Sequence, residues 1–187
     1  ECLNSIFNQS HPKIEIIIVD DGSYDDSGEI CDRYRGDARV KVIHKERNEG
    51  LLAARLTGIE YASSEWIVFV DADDWLDTNA LFKMYKKIKK TNSDICISKI
   101  QHHYPNKTKV VSGSLKTSLL NKAFDTFCAK NIKNILQITL PSASGKLYRL
   151  SFLKKYSISF QNLESCNDVF FSYTTFCLAK SITFVDE

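Results

Sequence analysis

The sequence predicts an α/β fold, a mixed and mainly parallel sheet flanked by helices, and three observations predict it. Ile14-Glu15-Ile16-Ile17-Ile18-Val19 and Trp66-Ile67-Val68-Phe69-Val70 are apolar runs rich in β-branched or aromatic residues, the pattern of strands buried on both faces. Each run stops in acids, Asp20-Asp21 after the first and Asp71-Ala72-Asp73-Asp74 after the second. Segments with helical spacing separate the runs, as in a chain that alternates strand and helix.

In chain order, Cys2 to Phe7 has apolar residues at helical spacing, and His11-Pro12 ends the pattern because proline cannot donate to a continuing helix. A helix with no strand before it is an unusual start for an alternating chain, and suggests a preceding strand that has been lost or lies outside this sequence. The first strand run leads through Asp20-Asp21-Gly22-Ser23 into a helix over Ile30 and Tyr34, with Asp25 or Asp26 as its cap. Val40 to His44 reads as a short strand, Arg47 to Gly50 as a loop and Leu51 to Ala62 as a helix. The Trp66 strand follows. Ala80 to Lys90 is an amphipathic helix with a lysine-rich outer face. Asp94 to Ile100 and Lys109 to Val111 read as strands around a loop at Pro105-Asn106, and Leu115 to Lys130 as a helix. Ile132 to Leu140 fits either helix or loop. Gly145 to Arg149 reads as the entrance to a short helix over Ser151 to Tyr156, followed by a segment from Ile158 to Leu163. A helix start at Asn167-Asp168 and a last strand over Ser181 to Val185 complete the pattern.

The 187 residues fit a single domain able to bury a sizeable core. A net charge of +2 gives no bulk attraction to nucleic acid. The six cysteines form no C-x-x-C pair and show no zinc-finger spacing, so they read as small apolar fillers in a reducing compartment. No apolar run approaches the ~20 residues that span a bilayer, and no signal peptide is visible. The expected location is cytoplasmic. The lysine-rich helix face reads as solvated, with an anionic membrane surface as the alternative.

Carboxylates gathered at strand ends occupy the edge where open α/β sheets bind ligands. They repel one another unless a cation or donor groups offset the charge, and a divalent ion such as Mg²⁺ or Mn²⁺ is the simplest resolution for Asp71 and Asp73. The competing reading has Asp73 and Asp74 cap the next helix. At the first edge a carboxylate could accept from a nucleobase or ribose, with Gly22 allowing close approach, or could simply form an Asp-Gly turn. Arg55 could reach a base or a pyrophosphate, or pair with Glu60 or Glu65. Asp168 could be an N-terminal helix acid held by the macrodipole, or a general base.

Five segments in order resemble the inverting family 2 glycosyltransferases of the GT-A fold, bacterial enzymes that build cell-surface polysaccharides: Ser5 to Ser10, Ile16 to Ser23, Asn48-Glu49-Gly50 with Ala54-Arg55 and Gly58, Phe69 to Asp74, and Lys146-Leu147-Tyr148. The resemblance implies a GT-A, Rossmann-like sheet, here without its first strand. It implies that Asp21, with Asp20 beside it, recognises uracil, and that Arg55 lies near the base and diphosphate. It places Asp71 by the ribose and makes Asp73 the metal ligand, in a D-x-D pair that includes Ala72. Asn48 and Gly50 join this substrate-binding set. Asp168 falls at the catalytic base, in an acidic pair that reads Asn167-Asp168, without the glutamate. Where many members have tryptophan before the Lys-Leu-Tyr segment, this chain has Ser142-Ala143-Ser144-Gly145.

The implied reaction is a metal-dependent, inverting transfer from a nucleotide-diphospho-sugar, a UDP-sugar, to a glycan or lipid-linked acceptor. The cofactor is Mn²⁺ or Mg²⁺. Residues 1–100 form the nucleotide-sugar-binding part and 101–187 the acceptor-side part of one domain. The partners exclude nucleic acid and are compatible with a homodimer. The alternatives are a non-catalytic nucleotide-sugar-binding module and a nucleotidyltransferase, although no Gly-rich phosphate loop follows the first strand.

Overall fold

Strand and helix alternate where the apolar runs and helical spacings alternate. The computed structural model describes residues 1–104, 107–112, 116, 125–132, 137–158, 160 and 167–186. The first half comprises α1 (Cys2–Phe7), β1 (Ile16–Asp20), α2 (Ser27–Asp32), β2 (Val40–His44), α3 (Leu51–Tyr61), β3 (Trp66–Val68) and α4 (Ala80–Thr91). The second comprises β4 (Ile95–Ile97), β5 (Gln101–Tyr104), β6 (Lys107–Ser112), a 3-10 turn at Ala129–Asn131, β7 (Lys146–Arg149), α5 (Leu150–Lys155), α6 (Asn167–Leu178) and β8 (Ile182–Phe184). Among these residues no helix is long and apolar enough to cross a membrane.

β1 and β2 pair in parallel, with Ile16 opposite Val40 and Asp20 opposite His44. The larger sheet has the order β3-β7-β4-β8, in which β4 and β8 are parallel while β7 runs antiparallel to both of its neighbours. β5 and β6 form a separate antiparallel pair. Between β1 and β3 lies a cavity of about 1210 Å³, lined by Ile16, Ile18, Ile67 and Phe69 and also by Asp20, Asp21, Asp71 and Asp73.

The mixed character of the sheet enters through β7, and here the sequence reading is corrected. Lys146 to Arg149 forms a strand, not the approach to a helix, because Lys146, Leu147 and Tyr148 are all buried between β3 and β4. A strand of four residues is too short to show a period. The helix expected over Leu115 to Lys130 is also revised: Phe127 bridges Ile182 and a 3-10 turn follows, while residues 117–124 lie outside the described set. Residues 133–136, within the segment left open between helix and loop, lie outside it too, as do 161–163 and the Pro105-Asn106 loop. The strand read at Asp94 to Ile100 is only Ile95–Ile97, and Gln101–Tyr104 adds a strand that the pattern did not show.

The core belongs to the larger sheet. Ile95, Ile97, Tyr148, Phe171, Phe176 and Ile182 are at most 1% exposed. Phe160 and Phe171 stack at 4.0 Å between centroids, and Phe69 meets both edge-on. Each such ring contributes about 1.5–3 kcal/mol by burial.

Candidate active site

β1 ends in two acids with different environments. Asp20 is buried, and its carboxylate accepts the Ser23 backbone N–H at 3.0 Å and meets His44 Nδ1 at 2.7 Å. His44 Nε2 lies 2.9 Å from Asp32, so one imidazole spans two carboxylates. Burial alone would push the Asp20 carboxyl up, but hydrogen bonds from Ser23 and His44 outweigh it and hold the group below its usual range. His44 is raised in turn, first by Asp20 and then by Asp32. The sequence read His44 as a strand-end residue, and structurally it braces that end.

Asp21 reaches across to the next loop. Its carboxylate accepts the N–H of Gly50 at 2.7 Å and of Glu49 at 3.1 Å, while Lys45 Nζ stands 3.3 Å away. Asn48 also accepts from Gly50 N–H, at 3.1 Å. Asp21, Asn48 and Gly50 therefore form one contiguous rim before α3. The close approach requires Gly22: it has φ +69°, and a Cβ there would sit 2.5 Å from the Arg47 carbonyl carbon. The N-cap position of α2 is Asp26, one of the two candidates, but its side chain makes no capping hydrogen bond; Asp25 instead accepts the Ser27 N–H at 3.0 Å, two residues on, in the turn that leads into the helix.

Beyond β3 the chain turns through Asp71, Ala72, Asp73 and Asp74, with Asp74 N–H donating to the Asp71 carbonyl. These acids do not cap α4. Its N-cap position is Asn79, and Asp77 accepts the Asn79 N–H. Asp73 and Asp74 are exposed, and the Asp74 carboxyl is pushed up by burial and then by the charges of Asp71 and Asp73. Among the described residues no three His, Cys, Asp or Glu groups converge as a protein cage for a metal. One or two carboxylates at a crowded anionic turn match a hard divalent ion that takes its other ligands from phosphate and water.

Arg55 joins the distant parts. It is 6% exposed and pairs with neither Glu60 nor Glu65, correcting that alternative. Nη2 donates to both Asp71 oxygens, at 2.7 and 3.0 Å, and Nη1 donates to Asp168 Oδ1, 113 positions along the chain. Asp168 does lie in the first turn of α6, but its carboxylate reaches beyond the helix. Oδ2 accepts the Ala143 N–H at 3.1 Å and faces Ser142 Oγ at 3.4 Å. Ser144 Oγ donates to Asp71 at 3.2 Å.

The sequence reading treated 142–144 only as a departure from the family pattern, and thereby missed the turn that touches both carboxylates. Its support is Lys146, whose fully buried ammonium donates to the carbonyls of Leu140 at 3.1 Å and Ser142 at 2.5 Å. Tyr148 OH donates to the Ala143 carbonyl at 3.3 Å. Desolvation brings Lys146 down to about 7, against the opposing pull of Asp168. A lysine and a tyrosine inside an otherwise buried strand are polar groups in need of partners, and that was the available signal.

Compared with known proteins, residues 1–157 match the family described as Glycosyl transferase family 2. The putative glycosyltransferase EpsH of Bacillus subtilis is 34% identical over 98% of this chain and 53% of its own length. The crystal structure of S. aureus TarS 1-349 in complex with UDP superposes with a TM-score of 0.82 at 26% identity, covering 100% of this chain and 53% of that one. The same protein in complex with UDP-GlcNAc gives 0.81 at 25%, over 100% of this chain and 51% of that one. The chain thus spans about half the length of these relatives, and its architecture is GT-A.

Proposed function

The chain belongs to glycosyl transferase family 2, and from that membership we propose that it transfers a sugar from a UDP-sugar donor to a hydroxyl of a glycan or lipid-linked acceptor, with inversion. One observation carries the reading: a single buried guanidinium draws Asp71 and Asp168 into one site from distant parts of the sequence. A carboxylate at the donor edge and a second one beside it, facing the acceptor-side turn, are the two functions such a transfer needs. The UDP and UDP-GlcNAc complexes of TarS support the choice of nucleotide.

In this reading residues 1–100 form the donor side and residues 101–187 the acceptor side. Asp21, with Asp20 behind it, and the Asn48 to Gly50 rim receive the base. Arg55 and Asp71 lie by the diphosphate and ribose, with Ala72 in the turn between the acids. Asp73 would hold Mn²⁺ or Mg²⁺, which when bound offsets the negative charge that builds on the departing diphosphate. Asp168 accepts the proton of the acceptor hydroxyl as that oxygen bonds to the anomeric carbon. The bond from that carbon to the phosphate oxygen breaks, its electron pair leaving with UDP, and attack from the opposite face inverts the configuration. The lysine-rich side of α4 would face the inner surface of the membrane, where lipid-linked acceptors are found. A homodimer is compatible with this arrangement.

The test is UDP release from a panel of UDP-sugars by the full-length protein. Asp168→Asn should lower transfer by roughly 10²–10⁴-fold while UDP still binds. Full turnover in that variant would remove Asp168 from the role of base, and UDP binding indifferent to both Mn²⁺ and Asp73→Ala would remove the metal assignment.

A further inference from the structure

One planar guanidinium serves two carboxylates here, and they belong to different sides of the site. Arg55 spends Nη2 on Asp71 and Nη1 on Asp168. Its Cζ lies 5.3 Å from the Phe160 ring centroid and 6.0 Å from that of Phe69, so aromatic faces support the cation. One donor of the fork is left over: Nε is buried and has no acceptor. Unsatisfied buried N–H groups are uncommon, and this one belongs to a side chain that lines the cavity shared with Asp20, Asp21 and Asp73. Among the described residues the fork is thus one acceptor short, in a side chain that lines the cavity beside the acidic strand ends.

Asp168 is held from a second direction. Its Oδ2 is fixed by Ala143 N–H and Ser142 Oγ, whose turn is in turn pinned by Lys146. Loss of the Arg55 contact would free Oδ1 and leave the carboxylate anchored. We infer that Arg55 is a positioning residue that couples the two sides: in the empty protein it occupies Asp168, and donor phosphates compete for the same guanidinium and release Oδ1 to the acceptor hydroxyl. This rests on the reading of the cavity edge as the UDP site. It adds that base and donor draw on one cation, so the base is unoccupied only when the donor is bound.

Linkage makes the coupling measurable without turnover, because whatever Asp168 gains from Arg55 must be displaced by the donor. Removing the Asp168 charge should therefore tighten UDP. Calorimetry of UDP at fixed Mg²⁺ is measured on the full-length protein, Asp168→Asn, Arg55→Lys and the double variant, with thermal melts to confirm folding. Asp168→Asn is expected to bind UDP about fivefold to tenfold more tightly than the parent. In the Arg55→Lys background, where a single ammonium replaces the fork, the Asp168→Asn effect should shrink to less than about twofold. UDP binding by Asp168→Asn that is unchanged or weaker overturns the inference, as does an equal tightening without Arg55. Should Arg55→Lys fail to fold, the sign measured on Asp168→Asn alone still decides. A parent protein that binds no UDP under any metal condition would instead remove the donor-site reading, and this inference with it.

Discussion

The two acidic edges of the molecule are built by different means. At the end of β1, Asp20 and Asp21 are held from within the first fifty residues: by Ser23, by His44 at the end of the paired strand β2, and by the backbone of Glu49 and Gly50. The supporting strands are thinly covered, with the centre of β1 only half buried and no residue of β2 buried. Asp71 and Asp168, by contrast, meet through Arg55 above Phe69 and Phe160, both of which pack on Phe171, next to a sheet whose β4 is wholly buried. The first edge is assembled by the β1–β2 pair and the loops at its end. The second leans on the aromatic core through Phe69 and Phe160, so core damage should reach the Arg55–Asp168 pair before it reaches the Asp21 rim.

The largest expected effect tests that contrast directly. Phe171→Ala removes a fully buried ring that touches Phe69, Tyr148 and Phe160 and should cost about 3–5 kcal/mol in chemical denaturation. Ile18→Ala, in the half-buried centre of β1, should cost only about 1 kcal/mol. Equal costs at the two positions would erase the distinction between the halves.

Next comes the turn that shapes the first edge. Gly22→Ala forces a Cβ against the backbone of Arg47 and Asn48 at a positive φ, and should cost about 1–3 kcal/mol. Because those atoms belong to the loop that Asp21 grips, UDP affinity should fall in the same variant, as read by calorimetry, while the Phe171 core stays intact. Loss of stability with UDP affinity untouched would detach the rim from nucleotide binding.

Lys146 sharpens the other side through pH. Folded, its amine titrates at about 7, well below its ordinary 10.5, because burial disfavours the charge. Between those values the unfolded chain holds a proton that the folded protein has released, so stability should climb with pH across that window, by at most about 1.4 kcal/mol per unit. Denaturation midpoints from about pH 7 to about pH 10 should show the slope in the parent and lose it in Lys146→Met.

How much of this was legible beforehand follows from which interactions are local. The runs ending at Asp20 and Asp71, the start of α2 after Asp26 and the Gly22 turn were readable because a strand, a helix start and a turn each declare themselves within a few residues. β7 was not readable, because four residues, three of them buried, carry no period. Nor was the partner of Arg55: Glu60 and Glu65 were near in sequence, whereas Asp168 comes within reach only by folding. The Ser142 to Ser144 turn was hidden for the same reason, since its role consists of contacts to Asp71 and Asp168 and not of any pattern of its own.

The smallest effect belongs to His44, and its sign separates the two edges most cleanly. Contacts with Asp20 and then Asp32 raise the imidazole above its ordinary value of about 6.5, so the folded protein keeps a proton that the unfolded chain gives up. Its contribution is fully present below that ordinary value and is lost as pH rises through the raised one. With the side chain 32% exposed, solvent screening keeps the contribution modest. Parent and His44→Gln should therefore differ in stability at about pH 5.5 and converge by about pH 8.5, the opposite trend to that of Lys146. A difference that persists unchanged across that range would mean that His44 braces β1 by packing rather than by charge, and the Asp20 edge would then rest on packing as the Asp168 edge does.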